Sequence, residues 1–296
     1  MVSQPRTDTV SPTTAQRYRD VKERIAAAAR RDGRNPADVL LVAVSKYADM
    51  DQVRELIQLG HSDFAESRAQ QLVQRAAMVD ELMQRHRSLP GVSSARLADL
   101  ARRASGESAA GRLPGAAVTP GVGQATDIRW HMIGHLQRNK VKKVLGVARL
   151  IHSVDSLRLV EEIQAIAFKR DEVVDVLVQV NCSGERTKYG CAVAAAMHLC
   201  EQIETMVHLR VRGVMTMAPY SENPEDSRLT FERCREVYED IRRKGSAGPN
   251  FNILSMGMSG DFEVAISCGS NLVRVGSALF GDRPHAEEHD ETEDED

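Results

Sequence analysis

The sequence predicts an α/β chain of eight strand-and-helix units, and two features predict it. Short apolar runs of strand length recur, each followed by a stretch whose apolar residues return at helical spacing. Several runs are apolar throughout rather than alternating, as in parallel strands covered by helices on both faces. A closed (β/α)8 barrel meets both conditions, and 296 residues suit such a barrel as one domain. A doubly wound open sheet produces the same alternation, although the pattern favours the barrel.

Taken in order, residues 1–11 are rich in Ser, Thr and Pro and are expected to be disordered. An extra N-terminal helix over 15–31 carries Tyr18, Val21, Ile25 and Ala28 on one face and stops before Gly33 and Pro36. A strand follows at 39–45, a helix at 49–59 ending at Gly60, a strand at 63–65 and a helix at 67–86. Recurrent Gly and Pro over 87–126 break the rhythm and predict a flexible insertion. Alternation resumes with strands at 128–133, 150–154, 173–181, 211–217, 252–255 and 272–275. Between them helices are expected at 136–145, 156–169, 192–204, 228–244 and 261–268. The barrel domain is thus expected over 12–283, followed by an acidic disordered tail over 284–296.

Composition removes several classes of function. Hydrophobic residues make up 42% and charged residues 27%, enough for a core and a soluble surface. A net charge of -3 gives no basic field for nucleic acid, and no run reaches the roughly 18 apolar residues that span a bilayer. With no apolar leader at the N-terminus either, a cytoplasmic protein is expected. Cys182, Cys191, Cys200, Cys234 and Cys268 are odd in number and widely spaced, which fits buried thiols in a reducing compartment. His131 and His135 have the spacing of a helical metal pair, but Gly134 and the strand before it break a common face, so no metal site is expected.

The residues with chemical promise cluster where strands end. Lys46 directly follows an apolar strand, where barrels build their sites, and a desolvated lysine there is a nucleophile toward an aldehyde. An ordinary lysine reaching solvent would look the same. In LSMGMSGD, Ser255, Gly257, Ser259 and Gly260 separate a strand from a helix, and small residues there let backbone N–H groups approach a phosphate. It is not a Walker A loop. A second small-residue turn, with Gly276 and Ser277, follows the last strand, and phosphate sites are often built from the last two such loops of a barrel. Arg274 lies within that apolar strand, where its charge requires a polar partner, so it is a candidate for the centre of the mouth. Met217, Tyr220, Asn181, Ser183 and Lys188 fall at the same end. The cluster at Arg138, Lys140, Lys142 and Lys143 reads as a solvated helix face.

These segments together resemble the pyridoxal phosphate homeostasis proteins, a family similar to the barrel domain of alanine racemase. The resemblance is carried by VAVSKY at Lys46, FAESRAQ from Phe64, WHMIGHLQRNKVK from Trp130, IHSVDS from Ile151 and VLVQVNCSGERTKYG from Val176. It continues through VRGVMTMAP from Val211, LSMGMSGDFEVAI from Leu254 and VRVGSALFG from Val273. It implies an alanine racemase-like (β/α)8 barrel of the PLP fold type III. It also implies pyridoxal 5'-phosphate (PLP) as cofactor, held as a Schiff base on Lys46. Ser255 and Ser259 would join Gly276 and Ser277 in the phosphate cradle, and Arg274 would approach the pyridine nitrogen.

A cationic arginine there discourages ring protonation and weakens the cofactor as an electron sink. Racemases also use a second, strand-rich domain that supplies a catalytic tyrosine, and only a short acidic tail follows Gly281 here. The expectation is therefore a non-catalytic PLP carrier without catalytic residues of its own, a monomer or weak dimer. It would serve PLP-dependent apoenzymes or B6-metabolising enzymes in the cytoplasm; the alternative is a PLP-dependent amino-acid racemase. Two departures from the family pattern stand out: Ala65 and Ser67 replace a glycine and an asparagine, and the 87–126 segment is long.

Overall fold

The computed structural model describes residues 12–88, 127–185 and 188–281. Eight parallel strands form its centre: β1 Leu40–Val44, β2 Asp63–Glu66, β3 Arg129–Met132, β4 Ala148–Val154, β5 Val174–Asn181, β6 Leu209–Met215, β7 Ile253–Ser255 and β8 Leu272–Val275. Each pairs with its neighbours in chain order, and β8 returns to pair with β1 in the register Ala43 to Val275. That closing ladder excludes the open doubly wound sheet, and the chain is a (β/α)8 barrel. A two-residue strand, Cys191–Ala192, adds to the end of β5 outside the barrel proper.

Among the described residues the helices are α1 Thr14–Arg31, α2 Met50–Gln58, α3 Ala69–Ser88, α4 Val141–Val144, α5 Leu157–Arg170, α6 Val193–Glu204, α7 Arg228–Lys244, α8 Phe262–Ser267 and α9 Ser277–Phe280. The expected N-terminal helix is α1, started by a capping box between Thr13 and Gln16. Its face of Tyr18, Val21, Ile25 and Ala28 is buried, and Arg17 Nε donates to Leu279 O of α9 at 3.2 Å.

The long helix expected over 136–145 is instead a 3-10 turn, Arg138–Lys140, and the single turn of α4. Gln137 supplies no side-chain cap, and the cations of Arg138, Lys140, Lys142 and Lys143 sit at three- and four-residue spacings, where like charges oppose a helix. Helix α9 was not foreseen, because one turn is too short to show periodicity. Residues 87 and 88 end α3; the rest of the 87–126 segment and both expected disordered termini lie outside the described residues.

Side chains alternate across the barrel wall. One apolar layer lies between strands and helices, and a smaller inner cluster of Val42, Val44, Ala65, Leu150, Leu177, Met215 and Leu272 fills the lumen. Because all strands run in parallel, their C-terminal ends share one rim, and the loops there converge on one place.

Candidate functional site

At that rim lies a cavity of about 490 Å³, within the usual size of a cofactor pocket. Six strand ends contribute to it: Lys46 after β1, Ser67 after β2, Gly134 after β3, Met217 and Tyr220 after β6, Ser259 to Asp261 after β7, and Arg274, Gly276 and Ser277 at β8.

Lys46 is held by the residue before it. The Ser45 backbone N–H donates to Ala65 O at 3.0 Å and its hydroxyl to Glu66 Oε1 at 2.7 Å, so the turn leaving β1 is clamped to β2. The Lys46 side chain is exposed, lines the cavity and places Nζ 4.6 Å from the Tyr47 ring centre. Glu66 is fully buried and paired with Arg75 Nε at 2.8 Å, while its Oε2 has no hydrogen-bond partner. Burial raises its pKa, against the Ser45 and Arg75 contacts and the charge of Lys46.

The turns after β7 and β8 are joined by Ser259, whose Oγ accepts from Gly276 N at 3.1 Å and Ala278 N at 3.3 Å. Those bonds use both lone pairs, so the Ser259 O–H proton remains as a donor on the cavity wall. Gly257 makes the bend. It sits at φ +92°, and a Cβ there would stand 2.7 Å from Ala265 Cβ and 2.8 Å from Phe262 Cα. A Cβ on Gly260 would meet nothing within 4 Å, so the turn stays open toward its neighbours. Asp261 braces the same turn, accepting from Met258 N at 2.6 Å. Since α8 and α9 are only six and four residues long, the cradle consists of local N–H and O–H groups rather than of a long helix dipole.

Arg274 points from β8 into the lumen and is 3% exposed. It donates from Nη1 to Ser255 Oγ at 2.6 Å and from Nη2 to Thr216 O at 2.9 Å. Burial lowers its pKa to about 10, with Asp261 pulling the other way, and it is a cation at neutral pH.

Lys46, Ser259, Arg274, Gly276 and Ser277 therefore meet around one cavity, as the sequence placed them. Ser255, expected in the cradle, does not line it: the side chain is fully buried and turned inward onto Arg274, because strand alternation aims it at the lumen. Asn181 and Ser183 brace their own loop, with Ser183 Oγ donating to Asn181 Oδ1 at 2.9 Å and Asn181 Nδ2 to Lys188 O at 3.2 Å, and none of the three lines the cavity. The two histidines part: His131 points into the barrel, while His135 stacks on Tyr189 with ring centres 4.5 Å apart. Ala65 belongs to the inner apolar cluster and Ser67 to the cavity wall.

Sequence reasoning missed a buried polar group in the lumen, formed by Asp63, His131 and His152. The signal was present: Asp63 shares inward parity with the apolar Ala65 on β2, His131 is the neighbour of Ala65 on β3, and His152 shares that parity with Leu150 on β4. Burial pushes the Asp63 carboxyl up, but hydrogen bonds from His131 and Arg129 outweigh it and hold the pKa far below the usual carboxylate range. Burial drives the His152 pKa well down, helped by the neighbouring His131 and Arg274.

Comparison with known proteins fits this geometry. A family profile described as alanine racemase, N-terminal domain, matches residues 41–284. A pyridoxal phosphate homeostasis protein of Aquifex aeolicus is 34% identical over 271 residues, covering 91% of this chain and 98% of the relative. The structure of PipY from Synechococcus elongatus with PLP bound superposes with a TM-score of 0.64 at 25% identity, covering 88% of this chain and all of that one. A protein of Bifidobacterium adolescentis superposes with a TM-score of 0.69 at 34% identity, covering 90% and 94% of the two chains. The chain belongs to the pyridoxal phosphate homeostasis proteins, within the wider family of alanine racemase N-terminal barrels.

Proposed function

We propose that this chain binds pyridoxal 5'-phosphate in the mouth cavity and serves PLP homeostasis as a carrier and reservoir. The observation that carries this is the convergence, around one cavity, of an amine, two small-residue turns tied by Ser259, and a buried cation. When bound, PLP supplies an aldehyde that condenses reversibly with an amine and a ring that can stabilise a carbanion. Lys46 offers the amine. The Ser259 hydroxyl and the turn carrying Gly276 and Ser277 offer donors to the phosphate, and Arg274 offers a cation rather than a proton acceptor to the ring nitrogen.

Strong catalysis needs a general acid or base held by packing near the reacting carbon. The Tyr220 phenol at the mouth is not held in that way, being 91% exposed. Asp261 is committed to Met258 N and Ser227 Oγ. Retention and release of the aldehyde, to PLP-dependent apoenzymes or B6-metabolising enzymes in the cytoplasm, is the role these residues support.

The test is the visible spectrum of the purified protein loaded with PLP, followed by borohydride reduction and peptide mapping. A pyridoxyl group on Lys46, lost together with the absorption band in Lys46→Ala, is the expected result. Covalent PLP with Lys46 unmodified would overturn it. Incubation with single L-amino acids is expected to give neither α-proton exchange nor D-isomer above the rate of free PLP. Turnover abolished by Lys46→Ala would replace the carrier with an enzyme.

A further inference from the structure

A continuous file of side chains runs through the lumen from Arg274 toward the opposite rim. Arg274 Nη1 donates to Ser255 Oγ at 2.6 Å, and Ser255 Oγ lies 3.2 Å from His152 Nδ1. His152 Nε2 is 2.9 Å from His131 Nδ1, and His131 Nε2 is 3.3 Å from Asp63 Oδ1. Arg129 closes the far end, donating to both oxygens of Asp63 at 2.8 and 2.6 Å. None of Arg274, Ser255, His152, His131 or Asp63 exceeds 4% exposure, so water does not interrupt the file.

With one proton on each imidazole, the two ends determine the direction of every bond between them. Asp63, ionised and paired with Arg129, only accepts, so His131 Nε2 carries a proton and donates to it. With a single proton on its ring, His131 accepts at Nδ1 from His152 Nε2–H. His152 in turn accepts at Nδ1, and its partner is the Ser255 hydroxyl proton. Ser255 thereby presents a lone pair to Arg274, which can only donate. Reversing the bonds between His131 and Ser255 would require a second proton on His131, since Asp63 accepts at one end and Arg274 donates at the other.

We propose that Asp63, His131 and His152 are positioning residues for Arg274: through Ser255 they hold the guanidinium at the base of the cofactor cavity with aligned dipoles instead of a counter-ion. In each of the four bonds the donor lies on the Arg274 side and the acceptor turns its lone pair toward the cation, which solvates its charge without neutralising it. A carboxylate in the place of Ser255 would pair with the guanidinium and cancel the field that Arg274 presents to a ring above it. The role deepens the PLP assignment and depends on it. It also links the face that binds the cofactor to an ion pair at the start of β2 and β3, on the other rim.

The experiment measures histidine tautomers by long-range proton–nitrogen correlation in protein labelled at histidine, without PLP and loaded with it. In both forms His131 and His152 are expected to be neutral with the proton on Nε2. A cationic His152, or one protonated on Nδ1, overturns the proposal without any mutation. In Asp63→Asn the amide can donate to His131, so the expected result is a proton moved to Nδ1 of both rings. PLP retention is expected to fall about tenfold, the scale of one charge-assisted hydrogen bond, with a shifted visible band. Ser255→Ala should shift the band in the same way while leaving the histidine pair intact.

If borohydride labels Lys46 but both variants keep the wild-type band and retention, the positioning role is wrong and the PLP assignment stands. If Lys46 is not labelled in the wild type, both fall.

Discussion

Ser45 stands between two ionisable side chains of opposite environment: Lys46 faces the cavity, and Glu66, which accepts the Ser45 hydroxyl, is fully buried. The raised pKa of Glu66 has a direct consequence for stability. The folded state holds this proton more tightly than the unfolded one, so its contribution is fully present below the ordinary Glu value of 4.5 and is lost as pH rises through the raised folded value. Glu66→Gln keeps the shape without the ionisation. Its urea midpoint is expected to fall less than that of wild type between mildly acidic and neutral pH, and to lie above it at neutral pH. A lower neutral-pH midpoint would mean that the ion pair with Arg75 outweighs the cost of burying the charge.

At the level of elements, the barrel depends on close backbone approach where strands cross the wall. Gly213 in β6 is such a point: a Cβ there would stand 1.7 Å from the Ile253 carbonyl oxygen of β7. The β6–β7 ladder would have to open, and β7 is only three residues long. Gly213→Ala is therefore expected to cost about 3 kcal/mol or more, read from chemical denaturation. Gly260→Ala, with nothing within 4 Å of the added carbon, is the matched control and should change stability by less than about 0.5 kcal/mol. Equal losses in the two variants would contradict the steric account.

Ring closure is what makes the site. Lys46 follows the first strand and Gly276 the last, and they border one cavity only because β8 pairs with β1. A ligand bridging the two turns is bound by the closed barrel and not by the unfolded chain, so it must stabilise the whole fold. PLP at one hundred times its dissociation constant is expected to add about 2.7 kcal/mol, a rise in Tm of roughly 5–10 °C for a domain of this size. Lys46→Ala should lose most of that rise while keeping the melting temperature of the cofactor-free protein. An unchanged Tm in the wild type with PLP would place the ligand outside the closed mouth.

Most of the architecture was legible in the sequence, because strand burial and helix amphipathicity are local patterns. The 272–275 strand and the 228–244 helix match residue for residue. Lys46, Ser259, Arg274, Gly276 and Ser277 were legible too, since each departs from its apolar or helical surroundings at a strand end. Closure of the sheet was not, for an open sheet and a barrel share one alternation and differ only in whether the last strand meets the first. The tertiary structure also turned Ser255 from the cradle into the lumen and joined it to His152, His131 and Asp63. Those residues lie far apart in the chain and come together only through inward parity and register. Local chemistry in the sequence determined which side chains exist at each strand end; the closed ladder decided which of them face one another across the barrel.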